Sequence, residues 1–148
     1  MELKFGSHCV YQIRYHMVMC IKYRKQLLKS KKYQEGITKI IKEISERYWY
    51  EIDEFGTDGD HVHIFIGATG KWAPSRIMQV IKSISAREMF RRYPEIKKLL
   101  WGGEFWSDGG YIGTIGEGTN EEIVRKYIQE QGSKEERDQF TQLTLFKV

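Results

Sequence analysis

Asp60-His61-Val62-His63-Ile64-Phe65-Ile66-Gly67 alternates in the manner of a β-strand, and residues two apart on a strand share a face. Both imidazoles therefore stand on one side, as half of a metal site. Just upstream, Trp49 to Phe55 alternates as well, and Gly56-Thr57-Asp58-Gly59-Asp60 reads as the turn that joins the two strands in an antiparallel hairpin. Working outward, Val10 to Cys20 is rich in β-branched and aromatic residues and predicts a first strand, with Tyr11, Ile13 and Tyr15 alternating against Gln12, Arg14 and His16. After the basic stretch Lys22 to Lys32, the residues Tyr33, Ile37, Ile40, Ile41, Ile44 and Tyr48 recur at helical spacing, and Gly36 weakens that helix without breaking it. Pro74 suits a first helical turn, and Ile77, Ile81, Ile84 and Met89 mark the buried side of a second helix that ends before Pro94. Phe105-Trp106 and then Tyr111 to Ile115 resume strand character. The order βαββαβ with a terminal helix predicts an α+β fold: a ferredoxin-like, RRM-like antiparallel sheet with helices on one face.

The chain has 148 residues, enough for a single domain over 1–148 that folds without disulfides or a structural metal. Apolar residues make up 41% and charged residues 30%, with no apolar run long enough to span a bilayer and no secretory signal pattern at the N-terminus. The expectation is a cytoplasmic protein with no membrane partner. Cys9 and Cys20 are too few for a disulfide framework and read as buried thiols. A net charge of +4 is compatible with a polyanionic partner, although many ordinary soluble proteins share it.

Near the C-terminus, Thr119-Asn120-Glu121-Glu122 fits a capping box, so a helix is expected over 119–131. Ile123, Val124, Tyr127, Ile128 and Gln131 share a face of it. A tyrosine on such a stripe is more often core than catalyst, and a His-x-His pair alone leaves a structural and a metal role equally open. The glycines of 109–118 just before this helix predict a hinge.

The combination narrows the reading. Asp60-His61-Val62-His63, the segment Tyr15 to Arg24, the glycine-spaced run Tyr111 to Gly116, and Tyr127-Ile128-Gln129-Glu130-Gln131 together resemble the single-tyrosine transposases of the His-hydrophobic-His (HUH) endonuclease superfamily. Those enzymes move small insertion sequences as single-stranded DNA. Met19 and Ile21 stand where many relatives carry tryptophan and proline, away from the chemistry. The resemblance implies Tyr127 as the nucleophile, His61 and His63 as metal ligands with Gln131 as the third, and Mg2+ or Mn2+ as the ion. It also implies a homodimer in which the tyrosine helix can complete the partner's site in trans. Its DNA partner would be single-stranded, with hairpins at the element ends, and no nucleotide cofactor would be needed. With a single candidate on the last helix, Tyr111 is expected to pack in the sheet.

The residue types suit that chemistry, because a phenol with an ordinary pKa near 10 is a weak nucleophile until the phosphate is polarised. Arg14, Lys22, Arg24, Arg76, Lys82 and Arg87, with Arg91 and Arg92, are candidates for phosphate contacts, or else a solvated basic face. Trp72 and Trp101 could stack on bases or pack internally. The alternatives are a noncatalytic single-stranded nucleic-acid-binding module on the same layout, though without the aromatic RNP pattern, and a related HUH nickase or replication initiator.

Overall fold

A computed structural model describes residues 4–5, 10–11, 13–67 and 71–114. Strands β1 (Lys4–Phe5) and β2 (Val10–Tyr11) form a small antiparallel ladder. The main body runs β3 (Arg14–Cys20), α1 (Lys31–Tyr48), β4 (Glu51–Asp58), β5 (His61–Gly67), α2 (Pro74–Arg92), a short α3 (Ile96–Leu99) and β6 (Tyr111–Thr114). Its sheet has the order β4-β5-β3-β6, with every neighbouring pair antiparallel. Two interleaved βαβ halves thus place β3 and β5 in the centre, which is the ferredoxin-like arrangement expected from the sequence.

The helices cover one face because their apolar stripes match that face of the central strands. Ile37, Ile40, Ile41 and Ile44 of α1 and Ile77, Ile81 and Met89 of α2 pack in one core with Met17, Met19, Val62, Ile64 and Ile66. Gly36 has a packing reason within α1: a Cβ there would lie 2.5 Å from the Tyr93 hydroxyl. Helix α1 stops where Trp49 turns left-handed at φ 63° and its N–H bonds back to Ser45. Among the described residues, no helix is long and apolar enough to cross a membrane.

Several boundaries differ from expectation for identifiable reasons. The segment expected as one strand over Val10 to Cys20 is divided, its first part pairing with β1 and only Arg14 onward joining the main sheet. Strand β4 continues through Gly56 and Thr57 to Asp58, so the hairpin turn is the tighter Gly59-Asp60 rather than Gly56 to Asp60. Trp106 makes an isolated bridge to Ile21 instead of a strand. Within the glycine-rich run, Gly113 lies in β6, paired with His16, and a Cβ on Gly110 would meet the Met78 sulfur at 2.4 Å. The first half of the expected hinge is therefore built into the sheet edge, and 115–118 fall outside the described residues.

Candidate functional site

The face of the sheet opposite the helices is assembled by register. Cys20 pairs with His61, Val18 with His63, His16 with Phe65 and Arg14 with Gly67, while Tyr111 of β6 pairs with Val18 on its other side. His61, His63, His16 and Tyr111 thus share one face of three adjacent strands. The His61 and His63 rings lie 6.4 Å apart between centres, tilted by 39°.

His61 is oriented from behind. Its Nδ1 lies 2.9 Å from Oδ1 of Asp60, whose Oδ2 accepts from Arg24 Nε at 2.8 Å. Burial alone would raise the Asp60 carboxyl, yet the hydrogen bonds from His61 and Arg24, with the Arg24 charge, hold it below the ordinary carboxylate range. An anionic Asp60 that accepts a hydrogen bond from Nδ1–H leaves the Nε2 lone pair for a ligand, the arrangement common behind metal-bound histidines. Arg24 reaches Asp60 from a strained turn in which Tyr23 (φ 59°) and Arg24 (φ 51°) are both left-handed. Such conformations cost roughly 1–3 kcal/mol per residue and persist where the surroundings over-determine them. Here the pinning bonds are Ile21 N–H to the Asp60 carbonyl, Lys22 N–H to the Phe105 carbonyl and Arg24 N–H to the Ile21 carbonyl.

His63 lies over Gly56 on the neighbouring strand, where a Cβ would come within 2.3 Å of its Nε2. Glycine there leaves space that the ring occupies. His16 stacks on Phe65 at 4.3 Å and meets the rings of His63 and Tyr111 edge-on, each at 6.0 Å. It is only 8% exposed, and neither ring nitrogen has a hydrogen-bond partner among the described residues. Burial first, and then the nearby His63, push its pKa down, which favours a neutral ring.

By type, two imidazole donors on one face suit part of a divalent-cation site. With metal–nitrogen bonds of about 2.0–2.1 Å, two imidazoles at cis angles on one ion have ring centres roughly 4.5–5.5 Å apart, so the rings, at 6.4 Å, would close by about 1 Å to share an ion. No group of three or more His, Cys, Asp or Glu that could hold a metal occurs among the described residues. Among the described residues, His61 and His63 are thus a pair of nitrogen donors without a third such ligand beside them. Tyr127 and Gln131 lie outside the described residues, as do residues 119–131 as a whole.

The basic candidates divide in two. Arg14 is buried and paired with Glu51 and Asp53, each at 2.8 Å; Lys22 pairs with Glu104 at 2.9 Å; and Arg24 holds Asp60. Lys82 donates to the carbonyls of Ser107 (2.8 Å) and Gly109 (2.5 Å), and burial pushes its pKa down. Arg76 and Arg87 are exposed, but on α2 they belong to the layer opposite the histidines. Arg91 and Arg92 are engaged by Glu88, and Arg92 also by Glu43 of α1 at 2.6 Å, an acidic partner from another helix that the basic stripe in sequence did not reveal. Asp60, Gly56 and His16 are neighbours of the histidine pair to which the sequence alone assigned no part in the site. A glycine inside an alternating run was the one signal pointing to Gly56.

Comparisons with known proteins identify the family. Residues 9–131 match the family described as Transposase IS200 like. The chain is 37% identical over 135 residues to the ISDra2 transposase TnpA of Deinococcus radiodurans, covering 91% of this chain and 95% of that protein. It is 26% identical over 125 residues to the transposase for insertion sequence element IS200 of Salmonella typhimurium, covering 84% and 80%. Among solved structures, a transposase candidate from Deinococcus radiodurans R1 superposes with a TM-score of 0.80 at 30% identity, over 86% of this chain and 97% of that one. A REP-associated tyrosine transposase bound to a REP hairpin shares the fold, with a TM-score of 0.51 at 13% identity over 84% and 67%. The matched span contains the histidine strand and both Tyr127 and Gln131, and the chain belongs to the IS200-like transposase family, whose members cleave and rejoin DNA.

Proposed function

We propose that this transposase cleaves and rejoins single-stranded DNA at hairpin-marked element ends through a 5′-phosphotyrosine on Tyr127, acting in the cytoplasm as a homodimer. The observation that carries the reading is the pairing of His61 and His63 on the sheet face opposite the helices, with Asp60 and Arg24 fixing His61. Further support comes from the relative that holds a REP hairpin. His61, His63 and Gln131 would hold Mg2+ or Mn2+, and two neutral imidazoles with an amide oxygen leave phosphate oxygens and water to complete the set. When bound, such an ion supplies Lewis-acid stabilisation of phosphate charge.

In the reaction the Tyr127 phenol gives up its proton to solvent as its oxygen bonds to phosphorus, the bond from phosphorus to the 3′ oxygen breaks, and that oxygen takes up a proton to leave as a free 3′-hydroxyl. Attack by a 3′-hydroxyl on the phosphotyrosine reverses the step, restoring the phenol. One phosphoester replaces another, so no nucleotide cofactor enters. Asp60 keeps the His61 ring in one tautomer and orientation throughout, and Gly56 leaves the space His63 occupies.

Incubating the protein with Mn2+ and hairpin DNA from the gene's flanks tests this reading. Wild type and Tyr111→Phe are expected to form a denaturant-stable protein–DNA adduct, and Tyr127→Phe none. An adduct with Tyr127→Phe, or loss of it only with Tyr111→Phe, rejects Tyr127 as nucleophile. Mixing Tyr127→Phe with a His61→Ala, His63→Ala double variant should restore cleavage if the tyrosine helix serves the partner's histidines, and failure to do so removes the shared site.

A further inference from the structure

We propose that Tyr23 and Trp101 form a stacking platform for a base of single-stranded DNA, tied to the histidine strand through Arg24 and Asp60. The two rings stack with centres 5.5 Å apart and planes within 22°. Trp101 is nevertheless 62% exposed, so one large flat apolar surface faces solvent beside the pair. Trp49 and Trp72 are also exposed, but among the described residues neither stacks on another aromatic ring.

Cations accompany the platform along the chain. Lys22 Nζ, which also pairs with Glu104 at 2.9 Å, lies 5.5 Å from the Tyr23 ring centre, exposed Lys25 follows two residues after Tyr23, and exposed Lys98 precedes Trp101 by three. Aromatic faces with adjacent positive charge are what a single strand uses, one for its bases and the other for its phosphates. A duplex keeps its bases stacked inside and offers such a surface nothing comparable.

The backbone explains how the platform is aimed. Tyr23 and Arg24 are held left-handed in sequence, and Gly102 and Gly103 after Trp101 also have positive φ, at 104° and 78°. A side chain rarely sits in that region without a compensating use. Arg24 bonds Asp60, and Asp60 bonds His61, so the aromatic turn and the histidine pair share one rigid connection. A base stacked on Trp101 would thereby be fixed in register with the histidines. The platform depends on the reading of the substrate as single-stranded DNA.

Fluorescence anisotropy with a labelled short oligothymidylate, and with an abasic phosphodiester of the same length, tests it on the full chain. Wild type should prefer the thymidylate. Trp101→Ala should weaken that binding about 10-fold, with no change on the abasic strand and no change in salt dependence, while Trp101→Phe recovers most of the loss. The platform is overturned if Trp101→Ala binds thymidylate as wild type does, or loses equally on both probes. Wild type that binds the two probes alike also overturns it, yet leaves the Tyr127 adduct, and with it the proposed reaction, standing. Wild type that binds neither probe and forms no adduct overturns both.

Discussion

The two faces of β3 and β5 are built from the same strands and carry opposite work. Toward the helices stand Met17, Met19, Val62, Ile64 and Ile66, all buried in aliphatic surroundings. On the other face stand His16, His61, His63 and Phe65, whose rings meet one another edge-on, stacked or tilted. Burying one such aliphatic side chain contributes roughly 1.5–3 kcal/mol, whereas a polar imidazole such as His61, partly buried, gains less from leaving water. A two-residue period thus separates folding from chemistry along a single strand.

The largest expected effect tests that separation on neighbouring residues. Ile64→Ala should lower the stability of unfolding by about 2–5 kcal/mol, since it removes fully buried atoms. His63→Ala should change stability by less than about 1 kcal/mol and still lose Mn2+ binding. Urea unfolding and Mn2+ titration on the same preparations check both. Equal destabilisation by the two variants would mean that the histidine face is structural after all.

Next in size are residues that act on the histidines without being ligands. Asp60→Asn replaces the carboxylate that orients His61 and leaves Arg24 without its charged partner. It should weaken Mn2+ binding about 10–100-fold, as losses behind a metal-bound histidine commonly do. Gly56→Ala should reach the same range by a different route, pushing the His63 ring aside. Calorimetric Mn2+ titration at constant pH measures both, and affinities equal to wild type would remove Asp60 and Gly56 from the site.

The contrast between faces also explains what could be read beforehand. Ile37, Ile40, Ile41 and Ile44 announced α1, and Val62, Ile64 and Ile66 announced β5, because burial against one layer imposes a period that a single chain displays. Contacts across the other face depend on register and on folding back, which leave no period. Asp60 meets Arg24 only because the Tyr23 turn returns beside the β4–β5 hairpin. Gly56 resembled a turn residue, since glycine commonly marks turns, yet its lack of a side chain serves His63. Arg14 and Lys82 resembled phosphate contacts until tertiary pairing set Glu51 and Asp53 beside one and the carbonyls of Ser107 and Gly109 beside the other. Tyr127 and Gln131 were singled out by the resemblance, since spacing alone favoured a core tyrosine; they lie outside the described residues and remain the proposed half of the site.

The smallest effect concerns charge on the two sides. On the histidine face, Asp60 is buried between His61 and Arg24; on the helical layer, Glu88 lies between Arg91 and Arg92 near the surface. Hydrogen bonding from Arg91, with Arg92 and their charges, holds the Glu88 carboxyl down at about 2, against an ordinary 4.5. A carboxyl depressed in the folded state stabilises the fold above its unfolded value, and that contribution is lost as pH falls through the folded one. Glu88→Gln should therefore flatten the acid loss of stability between 4.5 and about 2, leaving the part that Asp60 contributes. Solvent screening limits the difference to about 1 kcal/mol or less. Urea midpoints measured stepwise through that window decide it, and parallel curves for variant and wild type would show that the helical layer's ion pairs add nothing that the histidine face does not.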